Sequence, residues 1–278
     1  MLRDRAFFSK TALGVAFVAA LLLAAPVGSS ESGEAPVTIP NATEEQSVRT
    51  VPASFETEAG LSYMERRVRS AAVKVLTPRG HGSGSYMVMN GFRIVVTAQH
   101  VVSQPVGTIY RVSNPAENEV VGARLVYSDP VSDIAVLLVP EMRTRVPMQF
   151  RLRADRIPLG TNVSYAGHPS RHSLLSFRGM VSGYENEGVQ PTAERRGEIL
   201  ILHSYGWPGC SGSVLFDNDG YIVGVLWGVS AGNVTGAPQI IEDLIWASPA
   251  SVLSEQQIIS SMCSLSPRPE RCARFTEQ

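Results

Sequence analysis

The chain has 278 residues, of which 44% are hydrophobic and 18% charged, which suffices for one large core or two small ones and excludes a wholly disordered or collagen-like protein. Its 24 Lys and Arg residues nearly balance 25 Asp and Glu residues, and the net charge of −1 argues against a nucleic-acid partner held by bulk charge. Three cysteines, none in a C-x-x-C pair, provide neither a disulfide scaffold nor a structural zinc site, so the fold depends on a packed core.

The first 29 residues have the organisation of an export signal. A basic region that includes Arg3 and Arg5 precedes an apolar run over residues 11–25, and small residues follow. We expect cleavage after Ser29. The alternatives are an uncleaved membrane anchor through residues 11–28, close to the roughly 20 residues that a spanning helix needs, and an ordinary buried helix. Signal and anchor both place the rest of the chain outside the cytoplasm, either in the periplasm or in the medium.

Residues 30–60 are rich in Pro, Ser, Thr and Glu and poor in large apolar side chains, so they are predicted to form a disordered linker. A short helix from Leu61 to Arg69 is expected to open the next domain, which spans residues 61–236. Beyond this helix, β-branched runs alternate with Gly, Pro, Asn and Asp, which is typical of an all-β domain.

Two tight hairpin turns are predicted, at Asn90-Gly91 and Asp219-Gly220, because these pairs accept the positive φ angles that such turns impose. Residues 237–278 are predicted to form a C-terminal helix and tail, with an amphipathic helix from Ile240 to Met262 that Pro249 can interrupt. No internal repeat is visible. Further predicted strands are Ala72–Leu76, Ala123–Tyr127, Ile134–Val139, Asn162–Ala166, Leu175–Gly183 and Ile199–His203.

A serine framed by glycines, Gly209-Cys210-Ser211-Gly212, lies between two of the predicted strands. The glycines allow a sharp turn that exposes the hydroxyl and directs amide N–H groups toward one point, as a nucleophile beside an oxyanion hole requires. Serine also needs a base held by a carboxylate. All five histidines precede Ser211, which excludes the Ser-Asp-His order, and no suitable aspartate precedes His100, which leaves the order His, Asp, Ser. The aspartates between His100 and Ser211 are Asp129, Asp133 and Asp155.

Three segments in this order resemble the chymotrypsin-fold serine proteases. Gly82-Ser83-Gly84, with the hairpin that ends in Thr97-Ala98-Gln99-His100, resembles the catalytic histidine segment. Residues 129–137 resemble the aspartate segment of bacterial HtrA-type enzymes, and residues 208–213 with 224–228 are similar to the nucleophile loop and specificity strand of glutamyl endopeptidases. The resemblance implies an all-β fold of two antiparallel Greek-key β-barrels, at about 68–142 and 158–230, with the active site between them and a C-terminal helix.

The resemblance also implies the roles of individual residues. Ser211 would attack the scissile carbonyl, His100 would act as general base and then as general acid, and Asp133, with Asp129 as the alternative, would orient the histidine. The N–H groups of Gly209 and Ser211 would form the oxyanion hole. No metal and no cofactor is required.

The chain departs from the family pattern near the nucleophile. Cys210 stands where the family has Asn or Asp, but a cysteine nucleophile there would shift the glycine frame and lose the donor geometry. The resemblance places the substrate pocket at Tyr205, Leu226, Trp227 and Gly228. No carboxylate stands at the expected floor, which argues against Lys or Arg in the substrate, and Leu226 replaces the histidine of glutamyl endopeptidases. A neutral or small apolar side chain is therefore expected.

The N-terminal signal and the resemblance together predict an exported serine endopeptidase that acts on polypeptides. Cys263 and Cys272 can form a disulfide outside the cytoplasm, or remain two free thiols. Because the residues printed after Gly228 are few and are predicted to be largely helical, we do not expect the PDZ module of HtrA proteins. Five arginines between residues 143 and 156 are expected to lie on a solvated connector, with an anionic or activator site as the alternative. The alternative functions are a catalytically silent binding or chaperone module and a self-processing protease.

Overall fold

The computed structural model describes residues 58–78, 80–170, 172–185, 197–234 and 237–265, and within these ranges thirteen strands and two α-helices occur. Short strands dominate because β-branched runs are interrupted every few residues by turn-forming residues. The predicted all-β fold is confirmed. In chain order the elements are α1 Tyr63–Ala71, β1 Ala72–Thr77, β2 Gly80–Met89, β3 Phe92–Ala98, β4 Ile109–Asn114, β5 Glu119–Asp129, β6 Ile134–Leu138, β7 Met148–Gln149, β8 Asn162–Gly167, β9 Leu175–Glu185, β10 Ile199–His203, β11 Val214–Phe216, β12 Ile222–Val234, β13 Ala237–Pro249 and α2 Glu255–Ser264.

The two barrels have the same strand order. The first closes through the pairings β1-β2-β3-β6-β5-β4 and back to β1, and the second through β8-β9-β10-β13-β12-β11 and back to β8. All of these pairings are antiparallel, whereas the short β7 joins β2 in parallel at the outside of the first barrel. Closure removes free sheet edges, so each six-stranded barrel can enclose its own core.

Both predicted hairpin turns are present. Asn90 and Gly91 have φ angles of 48° and 79° between β2 and β3, as a two-residue hairpin with positive φ at both positions requires. Gly220, with φ of 80°, ends the turn between β11 and β12. The Asp217 carboxylate accepts hydrogen bonds from the backbone N–H groups of Asp219 and Tyr221, each at 2.9 Å, and so supports the second turn.

Three apolar clusters hold the fold together. One fills the first barrel around Tyr86 and Leu125, and another fills the second barrel around Tyr165 and Leu200. The third cluster includes Phe216 together with side chains of both barrels, α1 and α2. Because the third cluster is shared, the barrels and helices bury a common surface, and the site between the barrels has rigid walls.

The predicted helix over residues 240–262 is wrong in its first part. Residues Ala237–Pro249 form β13, which pairs with β10 and β12 and completes the second barrel, so this barrel extends beyond the predicted end at residue 230. Burial alternates along its second half, where Ile245 and Ala247 face the core. The helix begins only at Glu255, after the Ser254 hydroxyl accepts a hydrogen bond from the N–H of Gln257 at 3.3 Å.

The predicted short helix is present as α1, which precedes the first barrel in the chain and packs against both barrels. Ser62 and Glu65 form a capping box at its start, with the Ser62 N–H donating to Glu65 Oε2 at 2.7 Å. Glu65 also accepts hydrogen bonds from the Arg178 guanidinium on β9, one of them at 2.7 Å. Arg178 and the capping bonds lower the pKa of Glu65 from 4.5 to about 2.

We expect Arg178→Met to lower the free energy of unfolding at pH 7, since the buried Glu65 would remain charged with only its capping hydrogen bonds. A carboxyl group with a depressed pKa contributes stability that is present above its unfolded pKa and lost as pH falls toward the folded one. The difference between variant and wild type should therefore shrink between pH 4.5 and about 2. Urea unfolding at pH 7 and pH 3 measures it. Arg124→Met, on the exposed face of β5, is the control, and an equal pH dependence for both variants would contradict the assignment.

Several predictions fall outside the described residues. These are the signal or anchor at residues 1–29, most of the linker at 30–60, and Cys272, so its pairing with Cys263 stays a prediction. The last three linker residues, 58–60, form a turn that is closed by a hydrogen bond from Leu61 N–H to Glu58 O at 3.0 Å. In the part of the chain that is described, neither helix has the length and apolarity needed to cross a bilayer.

Candidate active site

Pairing between β3 and β6 brings His100 and Asp133 together. Ala98, the last residue of β3, lies opposite Ile134, the first of β6, so the residues that follow one strand meet those that precede the other. Nδ1 of His100 lies 2.7 Å from Oδ2 of Asp133, and the His100 backbone N–H donates to Oδ1 at 2.8 Å. The Asp133 side chain is 2% exposed whereas that of His100 is 41% exposed. A buried carboxylate thus orients an imidazole that remains open to solvent.

The two candidate aspartates have different partners. Asp133 has a φ of 52°, a left-handed conformation that few residues other than glycine adopt but that Asp and Asn tolerate. The carboxylate of Asp129 instead accepts hydrogen bonds from the N–H groups of Val131, at 2.9 Å, and Ser132, at 3.3 Å. Asp129 therefore stabilises the turn before β6, and Asp133 is the aspartate in contact with His100.

The loop before β11 turns on its two glycines, as expected. Gly209 and Gly212 have φ angles of 97° and 91°. Around them, the N–H of Cys210 donates to Trp207 O at 2.9 Å and the N–H of Gly212 donates to Leu226 O at 2.7 Å. Within the described residues, no acceptor is present for the N–H groups of Gly209 and Ser211. These are the two donors that an oxyanion hole needs.

Close contacts between the barrels place Ser211 next to the segment that carries His100. The Ser83 N–H on β2 donates to Ser211 O at 2.8 Å across the interface. A Cβ atom on Gly82 would lie 2.9 Å from Ser211 O and 2.5 Å from a methyl group of Val101, which follows His100 directly. Ser211 Oγ and His100 Nε2 are not joined by a hydrogen bond in this arrangement, and such bonds often tighten only in the complex with substrate.

Ser83 links the loop to the first barrel, a role that the sequence did not reveal. Its hydroxyl donates to Gly209 O at 2.7 Å and accepts from the His168 N–H at 2.8 Å. Thr97 Oγ1 in turn donates to Ser83 O at 2.7 Å. The only signal was its place in Gly82-Ser83-Gly84, because the absence of a side chain at Gly82 lets the second barrel approach the backbone.

Cys210 is buried in the second barrel, and burial raises the pKa of its thiol to about 11. A thiol with such a pKa carries almost no thiolate at neutral pH, and the thiolate is the reactive form. Burial therefore argues against Cys210 as a nucleophile, whereas Ser211 at the next position is partly exposed.

The four residues predicted to line the substrate pocket differ in accessibility. Tyr205 is exposed, and the rings of Trp227 and Trp246 lie 5.5 Å apart, beside Gly228. The side chain of Leu226 is buried in the core of the second barrel, so this residue can meet a substrate only through its main chain. Its backbone pairs with the nucleophile loop, with the Leu226 N–H donating to Ser213 O at 2.9 Å. Within the described ranges, no three His, Cys, Asp or Glu side chains come together to hold a metal ion.

Comparisons with known proteins agree with this geometry. The family model described as "Trypsin-like peptidase domain" matches residues 82–225. A probable periplasmic serine endoprotease, DegP-like, of Pseudomonas fulva (strain 12-X) is 30% identical over 148 residues, which cover 52% of this chain and 28% of that protein. The chain therefore spans little more than a quarter of the relative's length.

Solved structures share the fold. An inactive form of Rv3671c from M. tuberculosis H37Rv, a serine-to-alanine mutant, superposes with a TM-score of 0.52 and 17% identity over 72% of this chain and 90% of that chain. A second structure of the inactive Rv3671c protease has a TM-score of 0.52 and 19% identity over 66% of this chain and 85% of that chain.

Proposed function

Because the chain belongs to the trypsin-like peptidase domain family, we propose that it is a serine endopeptidase that hydrolyses polypeptides through Ser211, His100 and Asp133. The observation that carries the proposal is the contact of 2.7 Å between His100 Nδ1 and the buried carboxylate of Asp133. A carboxylate in this position keeps the proton on Nδ1 and leaves Nε2 free to accept one.

The proposed reaction has two stages. His100 Nε2 takes the proton of the Ser211 hydroxyl as Oγ attacks the scissile carbonyl, and then gives this proton to the leaving amine. The product of this stage is an acyl-enzyme on Ser211. Water then attacks the ester, again with His100 as the base, and releases the second product. Asp133 stabilises the positively charged imidazole that forms in each stage.

The backbone N–H groups of Gly209 and Ser211 would donate hydrogen bonds to the carbonyl oxygen of the substrate, on which negative charge develops during the attack. In other serine hydrolases one such donor contributes roughly 3 kcal/mol to the transition state. Ser83 supports this arrangement because its hydroxyl holds the carbonyl oxygen of Gly209 at 2.7 Å. This carbonyl belongs to the peptide plane between Gly209 and Cys210, which lies between the two planes that carry the Gly209 and Ser211 N–H groups. The hydrogen bond therefore anchors the stretch of backbone on which both donors sit.

The proposed substrate is a polypeptide outside the cytoplasm. The DegP-like relative is named as periplasmic, and the N-terminal export signal predicted from the sequence agrees with such a location. Exposed aromatic side chains next to the nucleophile loop, Tyr205 and Trp207, offer a surface for an extended chain. The pocket preference proposed is a neutral or small apolar side chain.

The test uses a fluorophosphonate probe, which reacts with activated serines, on the full-length protein. We expect stoichiometric labelling of the wild type, none in Ser211→Ala, and normal labelling in Cys210→Ala, the matched control at the neighbouring position. Turnover of casein should follow the same pattern.

The outcomes distinguish the rival functions. If the folded wild type does not label, the result favours a catalytically silent binding module. If it labels but does not cleave casein repeatedly, the result favours a protease restricted to self-processing. Loss of labelling in Cys210→Ala but not in Ser211→Ala would identify the cysteine as the nucleophile and overturn the mechanism.

A further inference from the structure

A cavity of about 690 Å³, which no residue of the nucleophile loop lines, has a strongly cationic lining. We call it the cationic pocket. Helix α1 contributes Arg66 and Arg69, β1 contributes Lys74, and the connector between the barrels contributes Arg145. His168 and His172, which follow β8, complete the basic side. A cavity of this size accommodates a small organic ligand.

Positive charge in the cationic pocket exceeds negative charge. Four Lys and Arg side chains line it, against the two carboxylates Glu58 and Glu117. Only one ion pair joins members of the lining among the described residues, that between Arg69 and Glu58 at 3.0 Å. The ammonium group of Lys74 has no hydrogen bond or ion pair within the described part of the chain. The four cations therefore repel one another, and an anion among them would be attracted to each.

Two buried nitrogen atoms of the lining have no hydrogen-bond partner among the residues that the structure describes. They are Nε2 of His168, whose residue is 2% exposed, and Nε of Arg145. Burial and the charges of Lys74, Arg145, His81 and Arg69 lower the pKa of His168 to about 3. A neutral imidazole in a cationic wall still offers one N–H donor. Native proteins rarely leave such buried groups unpaired, and a site for a ligand is one physical reason for the exception.

We propose that the cationic pocket binds a small multivalent oxyanion, one that carries phosphate or carboxylate groups. The guanidinium groups and the lysine ammonium match the charge and hydrogen-bonding geometry of such groups. The proposed anion site gives a role to Arg145, which was predicted from the sequence to lie on a solvated connector. The other connector arginines have partners elsewhere, since Arg151 and Arg153 stack on Tyr221 and Arg156 stacks on Tyr184.

The cationic pocket is joined to the proposed oxyanion hole by two hydrogen bonds. The His168 N–H donates to Ser83 Oγ at 2.8 Å, and Ser83 Oγ donates to Gly209 O at 2.7 Å. A second contact places Nε2 of His81 2.9 Å from His168 O. An oxyanion that neutralises the repulsion among the cations around His168 would therefore stabilise the two hydrogen bonds that run from His168 through Ser83 to Gly209. Regulation of the active site in this way rests on the proposed function, whereas binding to the pocket does not.

The binding test is isothermal titration calorimetry of the full-length protein with pyrophosphate and with citrate, at ionic strength matched with sodium chloride. We expect saturable binding of at least one of the two, and the tighter one shows whether phosphate or carboxylate groups are preferred. The double variant Lys74→Gln/Arg66→Gln should bind at least about tenfold more weakly, since the loss of even one charge-assisted hydrogen bond predicts a change of this size. Arg111→Gln, which removes a cation from β4 outside the pocket, should bind as the wild type does.

The absence of saturable binding, or equal affinity in the double variant, would overturn the site. If the double variant does not fold, Arg66→Gln alone carries the comparison, because Arg66 is exposed on α1. The site would also be overturned if Arg111→Gln weakened binding as much as the pocket variants do. The anion would then be attracted by the overall charge of the protein and not by this pocket.

The regulatory part is tested by the rate of fluorophosphonate labelling. A concentration of pyrophosphate or citrate that saturates the wild type should raise its labelling rate at least threefold. The same concentration should raise the rate of Lys74→Gln/Arg66→Gln less, because this variant binds the anion more weakly. An unchanged rate at saturation would overturn the coupling. If the protein binds the oxyanion but never labels, the proposed function has failed and the pocket stands. If it labels normally and calorimetry shows no binding, the pocket has failed and the proposed function stands.

Discussion

Replacement of Asp133 by asparagine is expected to lower kcat/KM for peptide cleavage by roughly 10³- to 10⁴-fold while the protein stays folded. The amide oxygen can still accept the His100 backbone N–H, which Oδ1 accepts at 2.8 Å. The NH₂ group then takes the place of Oδ2 and faces Nδ1 of His100 as a donor. The imidazole must adopt the tautomer with its hydrogen on Nε2, which cannot take the proton of Ser211. The φ of 52° is no obstacle, since asparagine tolerates it.

Asp129→Asn is the matched control for this prediction. Its carboxylate accepts only backbone N–H groups of its own turn, so an amide oxygen should replace it and kcat/KM should stay within about threefold of the wild type. The measurement is kcat/KM for a peptide substrate across pH 5–10, with thermal unfolding as the check on folding. Full activity in Asp133→Asn, or an equal loss in Asp129→Asn, would show that Asp133 does not orient the base.

The parts of the fold that the sequence revealed depend on local chemistry. Asn90-Gly91 marks a hairpin because only a few residue pairs accept two positive φ angles. His100 and Asp133 were predicted from the chain order and from the resemblance of their segments to serine proteases, and the pairing of β3 with β6 brings the two residues together. In both cases a short segment carries its own structural information, independent of the rest of the chain.

The parts that the sequence did not reveal depend on distant contacts. Residues 240–245 have apolar spacing that fits a helix, but β10 and β12 offer unpaired edges that only a strand can close, and tertiary pairing prevails. Ser83 meets Gly209 across 126 residues and His168 across 85, and no local pattern predicts such bonds. The shared strand order of the two barrels is likewise a repeat of topology without a repeat of sequence.

Substitution of Gly212 by alanine tests the junction between the barrels. A Cβ atom there would lie 2.2 Å from both Ser83 O and Thr97 Oγ1, and 2.8 Å from Ala98 N. All three are held in the first barrel by strand pairing or hydrogen bonds, so they cannot yield cheaply. We expect the barrels to separate locally and Ser211 to move away from His100. A displacement of about 1 Å lowers activity by roughly 10²-fold, and we expect a loss of at least this size.

Gly91→Ala separates this collision from the strain of the backbone. Gly91 has a φ of 79°, close to the 91° of Gly212, but a Cβ atom at position 91 would meet no atom within 4 Å. The control should therefore lose only the left-handed penalty of about 1–2 kcal/mol in the free energy of unfolding and keep its activity. Gly212→Ala should lose more than about 3 kcal/mol, or fail to fold, because it adds overpacking to the same strain. Equal stability and activity in the two variants would mean that the barrels do not depend on contact at Gly212 to hold the nucleophile beside its base.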